Sequence, residues 1–173
     1  MELAQIIQTR QSVRAFRPEA VPQDMLQRIF AALICAPSAG NLQAYEVLVL
    51  RERALKARVG EATTACYEPV CEAPLALVFV ANAFRSGIKY EQRGIELFCI
   101  QDATIAATYA MLAAADQGLA TLWVGGFDTV KVSDLLKLKP GLWPVVIMPV
   151  GYPNELPERR NRRSVQDVVH ELD

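Results

Sequence analysis

The sequence has only one histidine, His170, three residues from its end. Zinc centres and Ser-His-Asp relays both need imidazole placed among partners, so neither is expected, and no metal site is assigned. The four cysteines, Cys35, Cys66, Cys71 and Cys99, form no C-x-x-C pair. A domain of this size folds without disulfides, so they read as reduced, structural thiols. Neither a G-x-G-x-x-G fingerprint nor a G-x-x-x-x-G-K phosphate loop is present, so a nucleotide would have to bind by another architecture. Charge of one sign is also scarce. The 18 Lys and Arg against 19 Asp and Glu leave a net charge of −1, with no basic face for nucleic acid.

Long apolar runs are lacking as well. The most apolar stretch, near 103–115, is Ala-rich, contains Thr104, Thr108 and Tyr109, and falls short of the roughly 18 residues a membrane span requires. The first residues, Met1 to Ile7, show neither the basic stretch nor the apolar run of a signal peptide. A cytoplasmic protein with no membrane partner is expected. With a single histidine, a cofactor that brings its own chemistry becomes the expected agent.

What is present is an ordinary globular composition, 52% apolar and 21% charged over 173 residues. Leu3, Ile6 and Ile7 share a face of a short helix. A second helix starts at Pro22, carries Leu26, Ile29, Phe30 and Leu33 at three-and-four spacing, and stops before Pro37. Strands are predicted over 46–50, 74–81, 119–124 and 143–150, a helix apolar nearly all round over 90–117 ending at Gly118, and a short helix capped near Asp128-Thr129. Helices and strands intersperse without a strict βαβ rhythm, which predicts an α+β fold with a mixed central β-sheet flanked by helices. No linker divides the chain, so residues 1–173 are expected to form a single domain.

Four polar features stand out. Arg10-Gln11-Ser12-Val13-Arg14 places two guanidinium groups and a hydroxyl in a loop, which suits a phosphate and equally suits solvated surface arginines. Pro37-Ser38-Ala39-Gly40-Asn41-Leu42-Gln43 is either a plain turn or a loop whose amides meet the edge of a heteroaromatic ring. Gly125-Gly126 after a buried strand is either a tight turn or a place where backbone amides approach a planar ligand. Arg159-Arg160-Asn161-Arg162-Arg163 is a charged tail or part of a phosphate site.

Taken in order, these blocks resemble the nitroreductase family of FMN-dependent oxidoreductases. The matching residues are Arg10-x-Ser12-Val13-Arg14-x-Phe16, Ala36-Pro37-Ser38-x-x-Asn41-x-Gln43 and Gln101-Asp102-Ala103. They continue through Gly118-Leu119-x-Thr121-x-Trp123-x-Gly125-x-Phe127, Gly151-Tyr152-Pro153 and Arg160-x-Arg162 before Val169-His170. Each block is short; their order and spacing across almost the whole chain carry the likeness.

The resemblance implies a nitroreductase-like fold with a long buried central helix and an intertwined homodimer, each of two FMN sites being built from both chains. It implies that Arg10, Ser12 and Arg14 meet the FMN phosphate, ribityl chain and pyrimidine edge. Pro37, Ser38, Asn41 and Gln43 would face the flavin from the partner subunit. Gly125 and Gly126 would lie beside its N5 and O4, and Arg160 and Arg162 would close on the phosphate. Residues 151–173 would form a tail closing on FMN and partner.

The implied activity is ping-pong hydride transfer from NADH or NADPH through flavin N5 to a nitroaromatic, quinone or similar small conjugated acceptor. The rivals are an FMN-binding carrier or redox sensor without turnover, and dehalogenating or flavin-cleaving chemistry on the same scaffold. Two departures stand out: Gln11 where Arg or His is common, and Ala44-Tyr45 where many relatives carry Pro-Trp. The short chain also implies that the helices roofing the substrate site in longer members are missing.

Overall fold

The computed structural model describes residues 2–172, so the two ends of the domain expected over 1–173 lie outside the described residues. Elements follow the order α1 (Leu3–Thr9), α2 (Gln23–Leu33), β1 (Tyr45–Leu50), α3 (Arg53–Glu61), α4 (Tyr67–Glu72), β2 (Leu75–Asn82) and α5 (Ala83–Arg93). A π-turn (Gly94–Phe98), α6 (Cys99–Asp116), β3 (Ala120–Thr121), α7 (Thr129–Leu135) and β4 (Leu142–Gly151) complete it.

The sheet order is β1-β2-β4-β3. All three strand pairs are antiparallel, and the parallel pairing that makes the sheet mixed is an isolated bridge between Ser12 and Thr121. Strand β2 explains the layering. Its side chains alternate, so Leu75, Leu77 and Phe79 pack on one face with Leu26, Ile29 and Leu33 of α2 and the alanines of α6. Ala76, Val78 and Val80 pack on the other face, with Val59 of α3 and Val132 of α7. A strand covered on both faces reads as one continuous apolar run, as 74–81 does.

Local chemistry places the ends of several elements. The Asn82 side chain caps α5 by accepting from the Arg85 N–H at 3.0 Å, and Asp128 caps α7 through the Lys131 N–H at 3.0 Å. Gly118, at φ +75°, closes α6 with the Leu119 N–H returning to the Ala114 carbonyl at 3.0 Å.

Three expectations change. The strand expected over 119–124 forms a regular ladder only at Ala120–Thr121; beyond it, Val124 exchanges both backbone hydrogen bonds with Ile147 at 3.0 Å. Helices α3 and α4 were not anticipated, because their apolar stripes are short and broken by charge. The helix expected over 90–117 starts at Ala83, and its backbone breaks at Glu91 (φ +48°).

By length and composition alone, the stretch Ala83–Asp116 could cross a membrane. At Glu91, however, the chain folds back on itself. A Cβ on Gly94 would lie 2.5 Å from the Ser86 carbonyl oxygen, a closeness that residues eight positions apart on a straight helix cannot have. The α6 arm packs Ala103, Ala106, Ala107, Ala110 and Ala114 into the core and buries Asp102, so it is a core helix.

Candidate cofactor site

Residues 10–14 are extended backbone rather than a free loop. The Val13 N–H donates to the Thr121 carbonyl at 3.1 Å, and the Val13 side chain enters the core. Because side chains alternate along extended chain, anchoring Val13 inward turns Arg10, Ser12 and Arg14 outward together. The C-terminal segment is fastened across this one. Phe16 bridges Pro153, the Arg17 N–H donates to the Tyr152 carbonyl and the Asn154 N–H to the Ala15 carbonyl, each at 2.9 Å. The Glu155 carboxylate accepts from the backbone N–H groups of Arg14 and Ala15, and Arg159 reaches the Gln8 carbonyl at 2.6 Å.

These fastenings create a cavity of about 700 Å³ lined by Arg10, Ser12 and Arg14 from one segment and Arg160 and Arg162 from the other. Segments about 150 residues apart in sequence thus share one site. Five arginines line it, counting Arg159, against a single carboxylate, Glu158. Among the described residues none of Arg10, Arg14, Arg160 and Arg162 forms an ion pair. Burial pushes the Arg10 guanidinium below its ordinary value, and the neighbouring Arg162 cation adds to that push. Cations held together without a counter-charge are unfavourable unless an anion completes the set. A phosphate dianion matches that demand, and the volume lies in the range of small-molecule sites.

The 37–43 loop lies outside this cavity. It is shaped from within: Ser38 Oγ accepts from the Gln43 N–H at 2.9 Å, and Asn41 Oδ1 accepts from Gln43 Nε2 at 3.2 Å. Gly40, Asn41 and Gln43 all take positive φ. Asp102 holds the loop from below. Only 2% exposed on α6, it accepts from the Ala39 N–H at 2.9 Å and the Ala44 N–H at 3.2 Å. The faces of Asn41 and Gln43 not used within the loop point outward, and Pro37 is exposed. Ala44 is fully buried and the Tyr45 hydroxyl donates to the Leu33 carbonyl at 3.2 Å, so the Ala44-Tyr45 departure packs soundly.

Gly125 and Gly126 are exposed and also lie outside the arginine cavity. Neither takes a positive φ, so a tight turn does not require glycine at either position. A Cβ on Gly125 would meet nothing nearer than Trp123 Nε1 at 3.8 Å. Asp102 is the residue whose role residue-level inspection missed; a lone acid inside an apolar helix was the available signal.

The cavity offers a cationic lining that suits an anionic small molecule. The nitroreductase family model matches residues 7–70 and 63–152, and the chain belongs to that family. An NADH dehydrogenase of Thermus thermophilus is 28% identical over an alignment of 187 residues that covers 92% of this chain and 91% of the relative. An FMN reductase [NAD(P)H] of Bacillus subtilis is 27% identical, with coverages of 98% and 73%. The crystal structure of a nitroreductase family protein from Clostridium novyi NT superposes with a TM-score of 0.82 at 30% identity, covering 90% of this chain and 87% of that one.

Proposed function

We propose that the chain is an FMN-dependent oxidoreductase that takes hydride from NADH or NADPH. It passes that hydride to a nitroaromatic, quinone or similar small conjugated acceptor, the two reactants using one place in turn. The observation that carries this is the arginine cavity, where Arg10, Arg160 and Arg162 converge with Ser12 and five arginines face a single carboxylate. The names borne by relatives, an FMN reductase and an NADH dehydrogenase, agree with it.

FMN, when bound, supplies a ring that accepts and returns hydride, which is why no acid, base or nucleophile of the protein is required. The chain's residues would bind and tune it. Arg10, Arg160 and Arg162 hold the phosphate, and Ser12 donates from its hydroxyl. Arg14, farther along the same strand, places a fixed positive charge where the ring gains negative charge on reduction. Gly125 and Gly126 are exposed and neither takes a positive φ, and a Cβ on Gly125 would meet only ordinary contacts, which supports ligand approach as the reason for glycine at that position.

Pro37, Ser38, Asn41 and Gln43 sit apart from the cavity of their own chain, which supports their serving the site of a second copy in a homodimer. Leu3 and Ile7 of α1, and Val165, Val168, Val169 and Leu172 of the tail, are exposed apolar side chains that such a partner would cover. In this reading residues 1–173 act as one cytoplasmic domain whose tail from 151 closes over the phosphate.

The test is an anaerobic titration of the purified yellow protein with NADH and NADPH, followed by an acceptor screen on the reduced form. Bleaching of the visible band by a nucleotide, and its return with an acceptor, is the expected result. Flavin that dithionite reduces but neither nucleotide does would overturn the oxidoreductase assignment in favour of a carrier or sensor.

A further inference from the structure

The hydrogen bonds that tie the C-terminal segment to residues 8–17 change character at Glu155. Before it, backbone pairs with backbone: the Arg17 N–H donates to the Tyr152 carbonyl and the Asn154 N–H to the Ala15 carbonyl, each at 2.9 Å. Arg17 Nε adds a bond to the Pro153 carbonyl at 3.0 Å. Beyond Glu155, the tail turns much of its bonding on itself, with the Ser164 hydroxyl donating to the Asp167 carboxylate at 2.7 Å and Arg163 donating to the Asp167 carbonyl. Residues 158–172 are exposed throughout, so burial in the core does not place Arg160 and Arg162.

Glu155 stands at the join. Its Oε1 accepts from the Arg14 N–H and, at 3.2 Å, from the Ala15 N–H. The Val13 and Arg17 N–H groups on either side go to the Thr121 and Tyr152 carbonyls, and the carboxylate supplies the acceptor for Arg14 and Ala15. From Glu155 at Arg14 to Arg159 at Gln8, the tail therefore runs antiparallel, back along residues 8–15. Glu155 lies outside the arginine cavity, and its bonds go to backbone amides. The guanidinium groups of Arg10, Arg14, Arg160 and Arg162 thus keep their donors for a ligand.

We infer that Glu155 is a positioning residue for the phosphate clamp: through the Arg14 and Ala15 amides it directs the tail so that Arg160 and Arg162 stand opposite Arg10 and Ser12. The inference rests on the proposed function, which puts the FMN phosphate in this cavity. One carboxylate registers two sets of ligand contacts, Arg14 through its own backbone and the tail arginines through the chain that follows. Without it, FMN itself would have to order the exposed stretch from 156 to 162. That entropic cost falls on the phosphate contacts and leaves the rest of the ligand bound as before.

The experiment exchanges riboflavin, which lacks the phosphate, against FMN on the flavin-loaded wild type, Glu155→Ala and Glu155→Gln, and measures the flavin each protein retains in excess riboflavin. The Glu155 side chain is exposed, so both variants are expected to fold. Glu155→Ala should lower the preference for FMN over riboflavin by about tenfold or more, the effect of one charge-assisted contact, with riboflavin retention unchanged. Glu155→Gln keeps a carbonyl oxygen for the same two N–H groups and should recover most of that preference. A preference unchanged in Glu155→Ala, a parallel loss of FMN and riboflavin, or a Glu155→Gln no better than Glu155→Ala overturns the inference. A wild type that holds riboflavin as tightly as FMN overturns the phosphate site, and the inference with it. A preference lost in Glu155→Ala and recovered in Glu155→Gln, on flavin that neither NADPH nor NADH reduces, upholds the role of Glu155 and overturns the oxidoreductase assignment instead.

Discussion

Removing arginines from the cavity should move ligand affinity and ligand-free stability in opposite directions. Arg10→Ala combined with Arg160→Ala deletes two charge-assisted contacts to the phosphate. At about 1.5–3 kcal/mol each, the loss of about 3–6 kcal/mol weakens FMN binding by about 10²–10⁴-fold. Arg162→Ala tests the other sign. In the FMN-free protein the Arg162 cation disfavours the charged form of Arg10, after burial the second cause of its lowered pKa. Water screens this exposed side chain, so the relief is about 0.5 kcal/mol at most, or roughly 1–2 °C in Tm for a chain of this length. Fluorescence titration of the deflavinated protein with FMN and scanning calorimetry read the two effects. FMN affinity within threefold of wild type in the double variant would falsify the phosphate assignment. A fall in the Tm of FMN-free Arg162→Ala would refute the uncompensated-cation account.

Asp102→Asn leaves an amide NH₂ facing one of the two backbone N–H groups that the carboxylate now accepts. A loss of about 2–3 kcal/mol in urea unfolding is expected; a change under about 0.5 kcal/mol would exclude Asp102 as the anchor of the 37–43 loop. Gly125→Ala adds a Cβ with only ordinary contact to Trp123, so Tm should hold while FMN affinity or its potential shifts. Unchanged flavin properties there would remove Gly125 from the site. Lys56 is buried, donates to the Ala73 carbonyl, and burial lowers its pKa from the ordinary 10.5. Such a base binds its proton more weakly folded than unfolded, so its penalty is full below the folded pKa and fades as pH rises towards 10.5. The unfolding free energy of Lys56→Met relative to wild type should therefore fall between neutral pH and pH 10; a constant difference would show that Lys56 does not titrate abnormally.

Period and punctuation in the sequence foretold much of the fold. The continuous apolar run of 74–81 announced a strand buried on both faces, the three-and-four spacing of Leu26, Ile29 and Leu33 announced a helix with one buried face, and Gly118 announced the end of α6. Those signals are local, since they follow from backbone geometry and the burial of one face. The strand expected over 119–124 was overcalled because an apolar run registers burial, whereas a ladder needs a partner with free backbone groups along its full length. The fold-back at Glu91 was not legible, because what drives it is the packing of Ser86 and Gly87 against Gly94 and Ile95, contacts that exist only once the chain has turned.

The candidate site divides in the same way. By itself the sequence determined which residue types were available: arginines in two clusters, an Asn-Gln loop, a glycine pair and almost no histidine. That is enough to exclude several chemistries and to suggest a phosphate. Tertiary structure decided that Arg10, Ser12 and Arg14 share a cavity with Arg160 and Arg162, and that the 37–43 loop lies elsewhere, held by Asp102. The reason is physical. A charge cluster acquires its meaning from what lies near it, and the proximity of residues 10 and 162 is set by Val13 in the core and Glu155 across the strand.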